Sequence, residues 1–404
     1  MKTALCILFV YSKSKNNVNN TDPSMLFDQT FKSLYESVRC FDDSEVDVIL
    51  QELHDSTRLS FVLGQLFPGQ TLDTTDLYAC STIAEIQDWL ITRLVPKIEG
   101  TYSSLTSTGL DQLDPNTPYV FISNHRDIVL DPVLINTALY NDGRSTVHSA
   151  IGDNLLLSKT ATRMALLNKC FRVNRSVTSP KALLRSLKLQ SSYISEIIHT
   201  FNESVWLAQR EGRAINNIDT TNPALIKMMS LSKPKTEQLE YLNALKIVPI
   251  TLSYEWDPCD QIKAKRIISQ SKSTVEEKLA SDKFETLTGI IGSKGQIHVH
   301  FGAPVSLDGT NAHVQDIYDQ FASKIDREMH CGYRVFPINS LCDKLVHNNY
   351  APPADLTEEE QTSLTVLNKR LSVTIEDNLI NDLAKQVIQN YAQASILQRA
   401  ALKV

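Results

Sequence analysis

Hydrophobic positions recur along most of the chain, and the period at which they recur changes twice. Between residues 25 and 100 the spacing is helical. Phe41-Asp42-Asp43-Ser44 offers capping side chains ahead of Val46, Val48, Ile49, Leu50 and Leu53, and a second helix is predicted over Ile83, Ile86, Leu90, Ile91 and Leu94, ending near Pro96. From about residue 115 short apolar runs alternate with helical stretches. Tyr119-Val120-Phe121-Ile122 reads as a buried strand that breaks at Ser123-Asn124-His125, and Ile128 to Tyr140 then reads as a helix. Further strands are predicted at Val147–Ile151, Val205–Ala208, Ile247–Tyr254 and Gln296–Phe301, with an amphipathic helix over Lys181–Phe201. Beyond residue 310 the pattern is helical again. Val314, Ile317, Phe321 and Ile325 form one stripe, Pro352-Pro353 marks a break, and Thr357 with Glu360 has capping-box spacing. Ile375, Leu379, Leu383, Val387 and Tyr391 recur every fourth residue, which predicts one last long helix.

Strands that alternate with helices predict an α/β fold, a mainly parallel sheet flanked by helices, with helical N- and C-terminal additions. The expected organisation is a tail over 1–24, a helical region over 25–110, an α/β domain over 111–310 and a helical region over 311–404. With 42% hydrophobic and 21% charged residues the composition excludes a disordered chain. A net charge of −6 argues against a nucleic-acid partner and against global attraction to anionic lipid, leaving only local basic patches. Seven cysteines, an odd number with no Cys-x-x-Cys pair, make poor material for a disulfide framework or a zinc site and suit a reducing, cytoplasmic compartment. The apolar run Leu5 to Tyr11 could pass for a signal-peptide core, but it is only seven residues long and runs into polar residues with no small-residue cleavage motif, so a frayed tail is the expectation. No run approaches the ~20 apolar residues that span a bilayer, so membrane contact is expected to be peripheral, on the inner face of the cell membrane.

The sharpest chemical signal is Ser123-Asn124-His125-Arg126-Asp127-Ile128-Val129-Leu130-Asp131-Pro132, where a strand ends and a helix begins. Sites in open α/β sheets gather at such carboxyl ends. One histidine with two acidic neighbours suits general-base work, because imidazole titrates near neutrality and a carboxylate can fix its tautomer. The bland reading of the same residues is a turn whose aspartate caps a helix. His125-Arg126-Asp127 also spells the kinase catalytic-loop tripeptide, but position 132 is Pro rather than Asn, and neither a glycine-rich loop nor Asp-Phe-Gly is present. Three further segments follow in order: Phe171-Arg172-Val173-Asn174-Arg175, Arg210-Glu211-Gly212-Arg213 and Ile247-Val248-Pro249-Ile250. Arginine pairs suit phosphate, since guanidinium forks match its oxygens and stay charged.

Taken together, the four blocks over residues 115 to 305 resemble the glycerolipid acyltransferase family, which contains glycerol-3-phosphate and 1-acylglycerol-3-phosphate acyltransferases. Asp257-Pro258-Cys259-Asp260 and Gly295-Gln296-Ile297-His298 look like segments of a soluble bacterial subgroup. Two departures stand out: the first block reads His-x5-Asp, one residue longer than the family's spacing, and the third reads Glu-Gly-Arg without threonine. The resemblance implies acyl transfer from acyl-CoA or acyl carrier protein to a hydroxyl of a phosphorylated glycerol or lysolipid. It implies no metal or redox cofactor. His125 would be the base, oriented by Asp131 or Asp127, with Asp131 preferred. Arg175 and Arg213 would hold phosphate, with Arg172 and Arg210 behind them. Glu211 would brace an arginine or touch the glycerol, and backbone near Gly212 and Pro249, with Asn124 and Arg126 beside the base, would shape the substrate sites. Alternatives are a lipid-binding protein of the same fold without turnover, and an acyl-thioester hydrolase. Because Pro132 disfavours helical geometry at the residue before it, Asp131 is expected in a kinked, non-helical stretch.

Overall fold

A computed structural model describes residues 34–55, 59–60, 63–64, 72–156, 158–174, 179–269, 284–308, 314–375 and 380–403. Two compact units divide at Ser37. In the first, residues 34–37 form a helical turn closed by Ser37 donating through N–H and Oγ to the Leu34 carbonyl. The second, Val38–Val404, holds everything below.

Its frame is a seven-stranded sheet in the order β1-β7-β6-β2-β5-β3-β4. The strands are β1 Tyr102–Thr108, β2 Val120–Ser123, β3 His148–Gly152, β4 Cys170–Val173, β5 Val205–Ala208, β6 Ile247–Tyr254 and β7 Gly295–Phe301. β4, β3, β5, β2 and β6 run parallel, β7 is antiparallel to β6, and β1 is parallel to β7. The sheet is therefore mainly parallel and flanked by helices. β2 is central, with all four residues buried, as expected of a strand covered on both faces.

Helices of the described residues are α1 Val46–Asp55, α2 Ile83–Trp89, α3 Val95–Glu99, α4 Leu130–Asn141, α5 Lys159–Leu167, α6 Pro180–His199, α7 Pro223–Ser230, α8 Gln238–Ala244, α9 Asp260–Ser269, α10 over 284–291, α11 Val314–Cys331, α12 Pro337–His347, α13 Glu358–Leu371 and α14 Asp382–Ala401. One core joins α1, α2 and α4 to the sheet through Leu50, Ile86, Trp89, Leu134, Phe121, Val248 and Phe301. A second joins the C-terminal helices to Trp256 and Ala264 through Leu341, Leu364, Val387 and Tyr391. Arg370 and Tyr391 both reach the Asp260 carboxylate, at 2.8 and 2.9 Å, and tie α13 and α14 to the start of α9.

Several expectations are corrected. β1 and β4 carry no strand signal in the sequence reading, and β1 lies ahead of residue 111. β1 is polar and half exposed because it is an edge strand, so nothing forces apolar alternation on it. Gly109, at φ +87°, ends it; a Cβ there would stand 1.9 Å from the Phe301 carbonyl oxygen, so only glycine lets the turn close on β7. The last helix begins not at Ile375 but at Asp382, where Asn381 caps it by accepting from the Ala384 N–H at 2.9 Å; Leu379 lies outside the described residues. Asp131 sits inside helix α4, not in a non-helical stretch. Pro132 falls in the first turn, where the missing N–H has no carbonyl to lose, and helix geometry is kept.

Candidate active site

β2 ends at Ser123, and the next five residues turn the chain from the sheet into α4. Asn124 is fully buried and clips this turn to β6: its Oδ1 accepts from Leu252 N–H at 2.8 Å and its amide donates to the Leu252 carbonyl at 3.0 Å. That role takes up the side chain, so Asn124 holds the site in place rather than facing a substrate. On the other side, Trp206 of β5 donates its indole N–H to Ser123 Oγ at 2.9 Å, and Ala214 N–H donates to the His125 carbonyl at 3.0 Å.

His125 emerges from this turn with Trp206 edge-on to its ring, centroids 6.0 Å apart. Its Nδ1 lies 2.8 Å from Asp131 Oδ2. The same oxygen accepts from the backbone N–H of Arg126 at 2.6 Å and of Asp127 at 3.0 Å, while Oδ1 accepts from Tyr254 O–H at 3.0 Å. A carboxylate oxygen already taking two backbone donors is an acceptor only, so Nδ1 carries the proton and Nε2 presents its lone pair. Asp131 is completely buried, and the His125 side chain keeps 14% exposure. The ring can therefore reach a substrate while its orienting carboxylate is shielded from water.

Asp127 serves otherwise. Its Oδ1 accepts from Val129 and Leu130 N–H at 2.9 and 2.8 Å, capping α4. Burial, followed by the neighbouring Asp131 charge, pushes its carboxyl above the usual range. One aspartate thus caps the helix and the other contacts the histidine ring. Ile128 and Val129 form a turn between His125 and the start of the helix that carries Asp131.

A second layer lies beneath Arg126. Its guanidinium grips the fully buried Asp219 side chain, with Nη1 2.9 Å from Oδ1, and Nη2 also donates to Tyr333 Oη at 3.0 Å. Asp219 further accepts from Gln209 at 3.1 Å, from the Asn124 amide at 3.3 Å and from Tyr333 O–H. Lys263 Nζ donates to the Arg126 carbonyl at 3.0 Å and to Asp257 at 2.6 Å. Burial alone would raise Asp257; the Lys263 ammonium outweighs it and holds the carboxyl low. A small cleft, open to solvent, adjoins this layer and is lined by Arg126, Asp127, Leu252, Tyr254, Lys294 and Tyr333 among others. Asp219, Tyr254 and Tyr333 went unnoticed in the sequence. They lie 93, 123 and 207 residues from their partners, and no local pattern marks them.

The remaining candidates scatter. Arg213 is half-buried and pairs with the completely buried Glu285 of α10, Nη1 to Oε1 2.6 Å, while Arg266 reaches the other oxygen at 3.1 Å; these are ion pairs without hydrogen-bond alignment. Gly212 takes φ +74° beside it, with open space where a Cβ would go. Arg210 is half-buried and Glu211 exposed in the same loop. Arg172 is half-buried at the end of β4, and burial lowers its guanidinium's proton affinity. Arg175 lies outside the described residues. Pro249 is inside the sheet opposite Ile122, where its carbonyl accepts from Gly302 N–H at 2.8 Å. The bond that it cannot return falls where β7 leaves β6, so a proline is tolerated in a central strand. The cleft is lined by Leu252, Ser253 and Tyr254 of that strand rather than by Pro249.

Residues 104–251 match the family model described as Acyltransferase. No curated protein matches the chain significantly. Among solved structures, the chain is similar to one described as the 1-acyl-sn-glycerophosphate (LPA) acyltransferase PlsC from Thermotoga maritima, at a TM-score of 0.34 and 10% identity over 70% of this chain and 94% of that one. The matched segment runs from β1 into β6 and contains His125, Asp131, Asp219 and the Arg210–Arg213 loop, so it is this central part of the chain that is similar to acyltransferases.

Proposed function

We propose that this acyltransferase moves a fatty acyl group from an acyl thioester, acyl-CoA or acyl carrier protein, to a hydroxyl of a glycerol phosphate or lysophospholipid, with His125 as general base. The observation that carries the reading is the His125–Asp131 pair, held by two backbone N–H groups and Tyr254 at the carboxyl end of the central strand. Nε2 takes the hydroxyl proton as the oxygen attacks the thioester carbonyl. Asp131 stabilises the imidazolium so formed. The tetrahedral intermediate then expels the thiolate, which leaves with the proton from Nε2. No acyl-enzyme is required, because the nucleophile belongs to the acceptor. General-base help supplies about 10²- to 10⁴-fold, and positioning and electrostatics supply the rest.

Arg175 and Arg213 would meet the acceptor's phosphate, with Arg172 and Arg210 as further cations and Glu211 and Gly212 shaping the loop. Arg213 already carries a counter-ion in Glu285, so an acceptor phosphate would compete with a carboxylate for it. Arg126, tied to Asp219, would position the turn that carries the base. Pro249 would contribute backbone shape to the acyl pocket. The reading calls for no metal or redox cofactor, and it places the chain at the cytoplasmic surface of a membrane, in contact but not inserted.

The test is product identity. Purified protein is given labelled acyl-CoA or, separately, acyl carrier protein, against a panel of acceptors, and the lipid products are identified. A new ester on a phosphorylated glycerol or lysolipid, abolished by His125→Ala, is the expected result. Free fatty acid without an acylated product would make the chain a hydrolase. Near-wild-type turnover in His125→Ala would overturn the mechanism.

A further inference from the structure

The helix α6 is longer than the layer it covers. Its 20 residues extend about 30 Å, whereas the four-residue strands β4 and β5 on either side of it in sequence are about 13 Å long. Its buried residues begin only at Leu189. The nine residues from Pro180 to Lys188 therefore project past the sheet, and they project at its carboxyl edge, because α6 follows β4 and β4 runs parallel to β2 through β3 and β5. β4 stands three strands from β2, so this end lies roughly 14 Å along that edge from the strand that delivers His125.

The projecting half is amphipathic in a particular way. At about 100° per residue, Leu183, Leu184 and Leu187 fall within an arc of about 100°, and Lys181, Arg185 and Lys188 fall within a neighbouring arc of about 60°. Leu183 and Leu184 are 41% and 47% exposed. No acidic residue occurs between Pro180 and Ser195, although the chain as a whole has a net charge of −6. None of the three cations makes an ion pair among the described residues. A face bearing leucines next to cations suits the boundary of an anionic bilayer, with acyl region for the leucines and headgroup phosphates for the cations.

We propose that the first half of α6, Pro180 to Lys188, docks the protein on an anionic lipid surface and so presents the edge bearing His125 to substrates in the membrane. The benefit to turnover rests on the lipid acyl-transfer reading; the docking itself does not. Three cations, each worth about fivefold in partition to an anionic surface, together account for on the order of 100-fold.

The test is co-sedimentation of the full chain with vesicles of equal parts phosphatidylglycerol and phosphatidylcholine, and with phosphatidylcholine alone. Wild type should bind the mixed vesicles and not the neutral ones. The triple variant Lys181→Gln, Arg185→Gln, Lys188→Gln should lose on the order of 100-fold in partition. Leu183→Ser with Leu184→Ser should lose binding that lowering the salt does not restore. Both variants change exposed positions and should keep the wild-type circular dichroism and wild-type turnover of a short-chain, water-soluble acceptor; that second assay reports on the acyl-transfer reading independently. Equal partition of all three proteins, or no preference for anionic vesicles, overturns the proposal. So does a change of oligomeric state in the leucine variant, which would make the patch an interface between copies.

Discussion

Asp131→Asn isolates one charge. In the native site Oδ2 collects three N–H donors, from His125, Arg126 and Asp127, and Oδ1 takes the Tyr254 hydroxyl proton. Asparagine can keep all four contacts. Its oxygen must occupy the Oδ2 position, because two backbone N–H groups point there, and its amide can then donate to Tyr254 Oη while that hydroxyl turns elsewhere. The imidazole therefore keeps its proton on Nδ1, and the tautomer survives. What disappears is the attraction between carboxylate and imidazolium, about 4 kcal/mol for unit charges 4 Å apart at an effective dielectric of 20, or up to roughly 10³-fold in kcat. Because the contact set is retained, stability should change by no more than about 1–2 kcal/mol. Asp131→Ala, by contrast, strands two backbone N–H groups and a tyrosine hydroxyl at about 1–3 kcal/mol each, and should cost on the order of 5 kcal/mol in stability. The measurement is kcat at saturating donor and acceptor, with thermal denaturation alongside. A loss below tenfold in folded Asp131→Asn refutes the charge argument, and an equal loss in Asp127→Asn would show that the two aspartates do not divide the work as their contacts indicate.

Asp127→Asn should leave kcat within a few-fold and raise stability at neutral pH: the folded carboxyl titrates above its unfolded value, so the native residue's contribution is full at acid pH and is lost as pH rises, and the gap between variant and native protein should widen from pH 4 upward in denaturant titrations. Gly289→Ala puts a Cβ 2.0 Å from Asp127 Oδ2, and the capped carboxylate cannot move without releasing α4; a stability loss of about 1–3 kcal/mol is expected by the same method. Arg213→Ala and Glu285→Gln should move acceptor KM in opposite directions, upward by tenfold or more for the first and downward for the second, while donor KM holds. Parallel changes in both variants would assign the pair to structure alone.

How much of this was legible in the sequence varies with how local each feature is. The buried strands β2, β5 and β6 are legible in the sequence, because a strand covered on both faces reads as a largely apolar run, and Tyr119–Ile122, Val205–Ala208 and Ile247–Ile250 are such runs. The histidine and both aspartates were also visible, since one turn between a strand and a helix brings them within seven residues of one another. Edge strands β1 and β4 were not visible, because half-exposed strands are under no demand for a hydrophobic pattern. The division of labour between Asp131 and Asp127 depended on which carboxylate the turn aims at the ring and which at the helix terminus, a matter of a few backbone dihedrals that spacing does not encode. Asp219, Tyr254, Tyr333 and Glu285 come from four distant segments, and each earns its place only because the crossover connections set β5 and β6 on either side of β2 and lay α10 and the end of α11 over that edge. Local chemistry was decided by the sequence; which distant side chains complete it was decided by the order of the strands.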